Sequence, residues 1–373
     1  MLYATHAVVD LEALRHNLTQ IRRLVDDRQI LVALKADGYG HGAVEIAREL
    51  QACSLADMIG VATTPEGIQL REAGVTLPIL RLSPVFVEEL PAALDADLSL
   101  VVHDRDSIQD IIDADRPAKV HLAIDTGMGR NGVLPWQVRE MGAAIRDDDF
   151  LQLTAAWTHL TSAEDPEGPA TDQQAELFDS ACEALEDEVG PIPLQHLANS
   201  AATLTRPDLH RDIVRPGIAL YGYPPVPADV PLRPAMTLSS RLALVKEVPE
   251  GHSVGYGRIH RTSRATTLGL VPIGYADGLH RTASDSIDVL VRTQSGDRRV
   301  PQVGRISMDQ IVVDLGPETA ARAGDEVVLF GDAGGEPDAP SAPTADHWAR
   351  AAETIPYEVL TSVSGRVTRE VRA

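Results

Sequence analysis

The chain carries near its start the stretch Ile30-Leu31-Val32-Ala33-Leu34-Lys35, which leads into the glycine-rich segment Ala36-Asp37-Gly38-Tyr39-Gly40-His41-Gly42. The five apolar residues are typical of a buried β-strand, and the glycines are typical of a tight loop. Such a strand delivers the amine of Lys35 into the loop, where burial lowers the pKa of an amine and makes it nucleophilic. The alternative is a solvated loop lysine, and this stretch alone does not separate the two.

The apolar pattern recurs seven times in the first two thirds of the chain. The further runs are Met58–Ala62, Ile79–Leu82, Leu98–Val102, Val120–Ile124, Leu151–Leu160, Leu194–Ala198 and Ile213–Leu220. Helix-like segments such as Ala43–Gln51, Thr64–Ala73 and Thr171–Glu186 separate most of them. Eight βα units in sequence predict a (βα)8 TIM barrel of the α/β class. The alternative is a doubly wound open sheet, which usually has fewer strands.

Polar residues stand at or just past the ends of several of these runs. They are Lys35 after the first run, Asp125 and Arg130 after the fifth, His159 near the end of the sixth, Asn199 and Ser200 after the seventh, and Arg215 early in the last. Barrel enzymes place their chemistry at the C-terminal ends of the strands. Helix capping would explain some of these residues, but we expect an amine, an imidazole and two guanidinium groups to converge on one rim.

The pattern changes near Pro231, beyond which short strands follow one another without helices. They are Leu242–Val248, Thr266–Ile273, Ile287–Arg292, Gln310–Leu315 and Glu326–Phe330, with a hairpin turn at residues 292–298, an exposed loop at Gly334–Pro343, and a helix at Ala345–Thr354 before a final strand near Tyr357. We therefore predict a barrel domain over residues 1–232 and a mostly-β domain over residues 233–373. About the first ten residues are expected to pair with the β domain.

Composition excludes several classes of partner. The 373 residues include 33 basic and 55 acidic ones, and a formal charge of -22 argues against nucleic acid and anionic membranes. The two cysteines, Cys53 and Cys182, have no metal-binding spacing, so we expect reduced thiols and no metal. No signal-peptide pattern or membrane-length apolar run is present, and we expect a cytoplasmic protein.

Three glycine-containing motifs have competing interpretations. Residues Gly127–Gly132 match GxGxxG, but the dinucleotide fingerprint belongs to a first βα unit, so a tight loop that presents Arg130 is the better interpretation. Gly217-Ile218 follows the last run, where barrels often hold a phosphate, and Ser200 would add a hydroxyl or cap a helix. Tyr256 lies between two glycines, a pattern that most often forms a turn with a packed aromatic ring.

Taken together, these motifs and their order resemble the alanine racemase family of barrel-type enzymes that use pyridoxal phosphate (PLP). The motifs are ALKADGYGHG, IDTGMGRNG, WTHL, HLANSAA, VRPGIALYG, VGYGR, IGYADG, GRISMDQ and IPYEV, and they span nearly the whole chain. The resemblance implies a barrel with a β domain, an isomerase that interconverts L- and D-alanine, and a supply of D-alanine for peptidoglycan.

The resemblance also implies roles for individual residues. Lys35 would bind PLP covalently; Tyr39, Ser200, Gly217, Ile218 and Tyr357 would hold its phosphate; Arg215 would face its pyridine nitrogen; and His159 and His196 would support the site. Arg130 and Met308 would contact the substrate, with Asp309 near them, and Tyr275 would narrow the entrance. Tyr256 would be the second base and would come from the partner in a head-to-tail homodimer.

The sequence departs from the family at one position. The family often has a lysine, which can be carbamylated, two residues before the Asp of the DTGMGR motif, and here that position is Ala123. The carbamate would help to orient Arg130. We expect a neighbouring polar side chain such as Asn131, or a bound anion, to replace it.

Racemisation requires proton removal on one face of the α-carbon and delivery on the other. By the resemblance, Lys35 would serve the D-substrate and Tyr256 the L-substrate. A tyrosine that acts as a base near neutral pH needs a neighbouring cation or hydrogen-bond donor, and His159, linked towards Arg215, is the candidate. The guanidinium of Arg215 does not readily donate its proton to the ring nitrogen, which should limit side reactions.

Four alternative functions differ in features that the sequence contains. A racemase of broader specificity, for example for serine, would differ in pocket-lining residues that cannot be ranked. A non-catalytic PLP-binding protein resembles the barrel alone, so the β domain and Tyr256 argue against it. A barrel-type decarboxylase would be expected to place an acidic residue beside the ring nitrogen. Arg215 is not acidic and argues against this function. A NAD-dependent dehydrogenase rests only on the match at Gly127.

Overall fold

The computed structural model describes residues 4–165, 167–332 and 340–373. Its largest sheet has eight strands, and every neighbouring pair in it is parallel. After an initial strand β1 (His6–Asp10), these are β2 (Gln29–Ala33), β3 (Met58–Val61), β4 (Ile79–Arg81), β5 (Leu98–Val102), β6 (Ala118–Ala123), β7 (Leu151–Trp157), β8 (Gln195–His196) and β9 (Ile213–Val214). Their order in the sheet is β8-β7-β6-β5-β4-β3-β2-β9.

Backbone hydrogen bonds join the two ends of this sheet. The N–H of Asp212 donates to the carbonyl of Gln195 at 3.1 Å, and the N–H of Arg215 donates to the carbonyl of Ala198 at 2.9 Å. The strands are rich in aliphatic residues because both faces of a parallel sheet are buried. The prediction of an eight-stranded barrel is confirmed.

Helices alternate with these strands and cover the barrel. They are α1 (Leu11–Val25), α2 (Lys35–Tyr39), α3 (Ala43–Cys53), α4 (Thr64–Glu72), α5 (Leu90–Asp95), α6 (Arg105–Asp113), α7 (Val138–Arg146), α8 (Ala170–Val189) and α9 (Ser200–Thr205), followed near the C-terminus by α10 (Ala345–Ala352) and α11 (Pro356–Ser362). Helix α1 shows the pattern: Leu14, Leu18 and Ile21 are buried at helical spacing against the core. Among the described residues, none of the helices has the length and apolar character that a membrane crossing requires.

The remaining strands form a second, mostly-β unit. They are β10 (Met236–Arg241), β11 (Leu244–Val248), β12 (Ser253–Val254), β13 (His260–Arg261), β14 (Thr266–Val271), β15 (Asp288–Thr293), β16 (Gly296–Pro301), β17 (Ile311–Gly316), β18 (Glu326–Phe330) and β19 (Thr368–Arg372). They form a six-stranded sheet in the order β16-β15-β18-β10-β1-β19, a three-stranded sheet β11-β14-β17, and the pair β12-β13. Strand β1 lies in the larger sheet, antiparallel to β10 and parallel to β19.

The prediction of a last barrel strand over Ile213–Leu220 is wrong, because the observed strand is shorter. The strand ends at Val214, because Pro216 follows and the chain then turns, with the N–H of Leu220 bonded to the carbonyl of Gly217 at 3.0 Å. Arg215 therefore stands just past the end of its strand rather than early in it.

The expectation of a final strand near Tyr357 is also wrong. Tyr357 lies in α11, which begins at Pro356, and proline is favoured at the first position of a helix. The final strand is β19, which begins at Thr368. The predicted loop Gly334–Pro343 lies mostly outside the described residues.

Candidate active site

Lys35 follows β2 at the C-terminal rim of the barrel and begins a left-handed turn. Left-handed backbone angles occur at four consecutive positions: Ala36 (φ 54°), Asp37 (φ 53°), Gly38 (φ 62°) and Tyr39 (φ 54°). This conformation costs a residue other than glycine roughly 1–2 kcal/mol, so the surrounding structure must hold the turn. Burial, followed by the charges of Arg130 and Arg215, lowers the pKa of Lys35, and Glu66 partly opposes this.

Arg215 lies beside Lys35 and is enclosed by hydrogen-bond acceptors. Its guanidinium donates to the carbonyl of Thr158 at 2.8 Å, to Nδ1 of His196 at 3.1 Å and to Nδ1 of His159 at 3.3 Å. Its Cζ also stands 5.0 Å from the ring centroid of Trp157. Burial lowers the pKa of Arg215 to about 9, which still leaves it protonated at neutral pH.

This network fixes the protons on the histidines. A guanidinium can only donate, so Nδ1 accepts in both His159 and His196, and each ring carries its proton on Nε2. His196 then donates from Nε2 to Nδ1 of His121 at 3.0 Å. Burial and the charge of Arg215 lower the pKa of His121 to about 3 and that of His159 to about 3. His159 is therefore neutral and can donate a hydrogen bond from Nε2. Beside Tyr256 it would act as a hydrogen-bond donor and not as a positive charge.

A second group of residues forms a narrow cradle near the end of β9. The hydroxyl oxygen of Ser200 accepts from the N–H of Gly217 at 2.8 Å. A Cβ at position 217 would clash with the hydroxyl of Tyr39, so glycine is needed for this close approach. The rings of Tyr39 and Tyr357 are 6.0 Å apart, and burial raises the pKa of Tyr39 to about 12 and raises that of Tyr357 as well. Both tyrosines are therefore neutral hydrogen-bond donors at physiological pH.

The surroundings of Arg130 contradict one expectation. Within the described residues, Arg130 makes no hydrogen bond or ion pair. The side-chain oxygen of Asn131 is buried without a hydrogen-bond partner, so the idea that Asn131 orients Arg130 is wrong. Ala123 instead packs in an apolar cluster with Trp157, at the position where the family often has a lysine. An anion beside Arg130 stays a prediction.

One cavity of about 1240 Å³ brings most of the predicted site residues together. Its lining includes Lys35, Tyr39, Arg130, His159, Ser200, Arg215, Gly217, Ile218 and Tyr357. His196 lies behind this lining and is fully buried. The lining includes the amine of Lys35 and the guanidinium groups of Arg130 and Arg215, which can each bind a negatively charged group, together with the carboxylates of Glu164, Asp346 and Glu358.

Four predicted residues lie elsewhere, on loops of the β unit. Tyr256 is 69% exposed, Met308 is 53% exposed and Tyr275 is 41% exposed, and none of them lines the cavity. These loops are tied together, because the N–H of Tyr275 donates to the carbonyl of Ser307 at 3.0 Å and that of Ala276 donates to the carbonyl of Met308 at 2.9 Å. Asp309 pairs with Arg366 at 2.8 Å. We call Tyr256, Tyr275 and Met308 the loop face.

Three residues that contact the site were not predicted from the sequence. His121 and Trp157 are buried within strands, where their polar atoms give no signal that distinguishes them from core residues. Glu66 contacts the turn that follows Lys35, and it had a visible signal: Thr63 and Glu66 have the spacing of a capping box. That signal predicts a helix start but not the contact with another loop.

The fold and this site define a two-unit barrel protein with a half-buried lysine amine in a cavity at the rim of the barrel. The chain belongs to the alanine racemase family. The family model for the alanine racemase N-terminal domain matches residues 9–225, and that for the C-terminal domain matches residues 235–371.

Individual relatives match along nearly their whole length. The alanine racemase of Cutibacterium acnes is 42% identical over 98% of this chain and 97% of its own. That of Mycolicibacterium smegmatis is 43% identical over 99% of this chain and 95% of its own. The alanine racemase structure from D-cycloserine-producing Streptomyces lavendulae covers 100% of this chain and 98% of its own, with 38% identity and a TM-score of 0.92. The Bacillus anthracis alanine racemase with bound L-Ala-P covers 100% and 96%, with 32% identity and a TM-score of 0.90.

Proposed function

We propose that this protein is a PLP-dependent isomerase that interconverts L-alanine and D-alanine and so supplies D-alanine for peptidoglycan. The observation that carries the proposal is the amine of Lys35, whose pKa is lowered by burial and by two guanidinium groups in the cavity. Membership of the alanine racemase family supports the substrate, as does the bound L-Ala-P in the Bacillus anthracis relative.

The residues of the cavity fit PLP. Lys35 supplies the amine that would bind the aldehyde of the cofactor, and in the cradle beside Gly217 the hydroxyl groups of Tyr39 and Ser200 would donate to a phosphate. Arg215 would donate a hydrogen bond to the pyridine nitrogen. When bound, PLP delocalises the negative charge that remains on the α-carbon after an amino acid loses its α-proton.

The protein's own groups then control the proton. Arg215 would donate a hydrogen bond to the ring nitrogen without protonating it, because its other acceptors are fixed and a guanidinium does not readily give up its proton. An unprotonated ring nitrogen would make PLP a weaker electron sink, which would limit side reactions. The amine of Lys35 would remove or deliver the α-proton on its own face of the substrate.

The opposite face needs a second base, and we assign this role to Tyr256. Its exposure of 69% and its absence from the lining of its own cavity support a site shared between two chains. We therefore propose a head-to-tail homodimer in which the loop face of each chain covers the cavity of the other, with Met308 near the substrate. The neutral His159 would donate from Nε2 to the tyrosine oxygen and stabilise its deprotonated form.

Two broader assignments accompany this proposal. We assign residues 1–232 to cofactor binding and residues 233–373 to the unit that provides the second base. We also assign the protein to the cytoplasm, where its two cysteines would stay reduced, and the free thiols of Cys53 and Cys182 are consistent with this.

The proposal is tested by incubating the purified full-length protein with L-alanine or D-alanine and separating the enantiomers by chiral chromatography. We expect both solutions to reach the same racemic mixture, and we expect a yellow absorbance that borohydride abolishes while it fixes the cofactor to the peptide containing Lys35. Serine is the comparison substrate. A protein that leaves both enantiomers unchanged, or carries the cofactor on Lys119 or Lys246, would contradict the proposal.

A further inference from the structure

The left-handed turn at residues 36–39 has a steric cost, which its own backbone hydrogen bonds partly offset: the N–H of Gly38 donates to the carbonyl of Leu34 at 2.8 Å and that of Gly40 to the carbonyl of Ala36 at 2.9 Å. Three of its four residues carry a side chain, and only Gly38 adopts such angles without penalty. The turn nevertheless decides where the cavity receives the amine of Lys35 and the hydroxyl of Tyr39. Contacts from outside the turn add to these internal bonds.

One such contact comes from the carboxylate of Glu66, in the first turn of α4. Its Oε1 accepts from the N–H of Ala36 at 2.7 Å. Its Oε2 accepts from the N–H of Ala62 at 2.7 Å and from that of Thr63 at 3.0 Å. The two oxygens thus act differently: one completes the capping box of α4, and the other reaches across to the peptide directly after Lys35.

The chemistry of these contacts requires a carboxylate. Three N–H donors face one side chain, and only a group with two acceptor oxygens satisfies all of them. A glutamine would have to present its own N–H2 to one set of donors. Glu66 is also the acidic group that opposes the effect of Arg130 and Arg215 on the amine of Lys35.

We propose that Glu66 is a positioning residue of the active site, which fixes the peptide after Lys35 and so sets the direction and charge of its amine. The inference deepens the proposed function, since it concerns the same lysine. The competing explanation is that Glu66 only caps α4. In that case, another substitution that weakens the cap of α4 to the same extent would change the active site in the same way.

Two variants separate these explanations. Glu66→Gln removes the charge and one of the two acceptors, whereas Thr63→Ala removes the other half of the same capping box, the Thr63 hydroxyl that accepts from the N–H of Glu66 at 3.4 Å. Thr63 does not line the cavity, and its loss leaves Glu66 bonded to Ala36. Thr63→Ala is therefore the matched control for a weakened helix start.

Amide hydrogen exchange on the full-length holoenzyme is the first measurement. We expect Glu66→Gln to speed exchange at Ala36 by about fivefold or more, because the one oxygen that glutamine keeps is a neutral acceptor, and a hydrogen bond to a neutral group contributes about 1 kcal/mol less than one to a charged group. Thr63→Ala should leave exchange at Ala36 within about twofold of the parent protein. Equal exchange at Ala36 in the parent and in Glu66→Gln would overturn the inference, and so would equal acceleration in both variants.

The second measurement uses the scarcity of lysine. The chain has three lysines, so pH-dependent labelling of the cofactor-free full-length protein, read by mass spectrometry, reports Lys35 with Lys119 and Lys246 as internal standards. Arg130, Arg215 and Glu66 are the charged groups that act on Lys35. Glu66→Gln should therefore lower the midpoint of Lys35 labelling and leave the other two lysines unchanged. A midpoint that stays or rises would overturn the electrostatic part.

Activity provides a third readout that depends on the proposed function. If the protein racemises alanine, kcat should fall about tenfold or more in Glu66→Gln while KM changes little, because the bond lost orients a reacting group rather than binding substrate. Unchanged kcat in an active protein would contradict the inference. An inactive parent protein would contradict the proposed function instead, and the exchange and labelling results would still decide the role of Glu66.

Discussion

The barrel cavity and the loop face differ in how completely one chain builds them. In the cavity, Arg215 has its neighbours in place and is 6% exposed, and His196 and His121 behind it are buried. On the loop face, Tyr256 and Met308 are more than half exposed, and neither lines the cavity of the same chain.

This difference shows which groups of the proposed active site a single chain can bring together. The cavity gathers the groups that we propose as the cofactor site and the first base, and most of them come from the barrel, with Tyr357 added from α11. Backbone hydrogen bonds join the Tyr275 and Met308 segments of the loop face, yet none of its three residues lines the cavity of its own chain. If the two regions belong to one active site, a second chain must bring them together, as isologous pairing in a homodimer does.

The largest effect is expected on the cavity side. Lys35→Ala should reduce racemisation in both directions by at least about a thousandfold, since it removes both the attachment point and one base. Chiral chromatography measures the rate. Lys119→Ala, which removes a half-exposed lysine paired with Asp97 at 3.4 Å, is the matched control and should keep full activity. Racemase activity that survives in Lys35→Ala would contradict the assignment of both roles to Lys35.

The next effect tests the loop face. Tyr256→Phe should reduce racemisation by about a hundredfold or more and should suppress exchange of the α-proton of L-alanine far more than that of D-alanine. The measurement is deuterium incorporation from heavy water, starting separately from each enantiomer. Equal loss of exchange from both enantiomers would count against Tyr256 as a base for one face.

Mixing the two variants then tests whether the cavity of one chain and the loop face of another form one active site. If Lys35 and Tyr256 come from different chains, a pair formed by Lys35→Ala and Tyr256→Phe contains one intact site. Random pairing should therefore restore about a quarter of the parent activity after the chains exchange. If both residues act within one chain, every site in the mixture lacks one of them, and the activity stays at the level of the separate variants.

The amino-acid sequence predicts the cavity better than it predicts the exact boundaries of the strands around it. Strand periodicity and glycine-rich loops follow from local chemistry, so the strand pattern alone places Lys35 and Ser200 at the rim. It does not predict the left-handed turn or the contact from Glu66, because each depends on how distant segments meet. Asn131 shows the limit most clearly: its position beside Arg130 in the sequence suggested a contact, but its side-chain oxygen has no partner.

A smaller effect is expected from changing Arg215 while keeping its charge. Arg215→Lys should lower kcat by about tenfold to a hundredfold, because one ammonium group cannot donate to Thr158, His196 and a ring nitrogen in the same fixed geometry. Thermal unfolding should also occur at a lower temperature. Arg211→Lys, at a partly exposed arginine paired with Asp179, is the matched control. Full activity in Arg215→Lys would show that the charge alone is sufficient.

The smallest expected effect is a loss of stability in acid, which tests how strongly the folded chain keeps its buried histidines neutral. His121 and His159 have folded pKa values of about 3 and His41 has one of about 4, whereas an unfolded histidine has a pKa of about 6.5. Between about pH 6.5 and pH 4 the unfolded chain therefore binds more protons, and the free energy of unfolding should fall by about 1 kcal/mol per pH unit for each of these groups. Urea unfolding at a series of pH values measures this slope. His121→Asn should make the slope shallower by about one such contribution, and an unchanged slope would mean that His121 is not held neutral by the barrel.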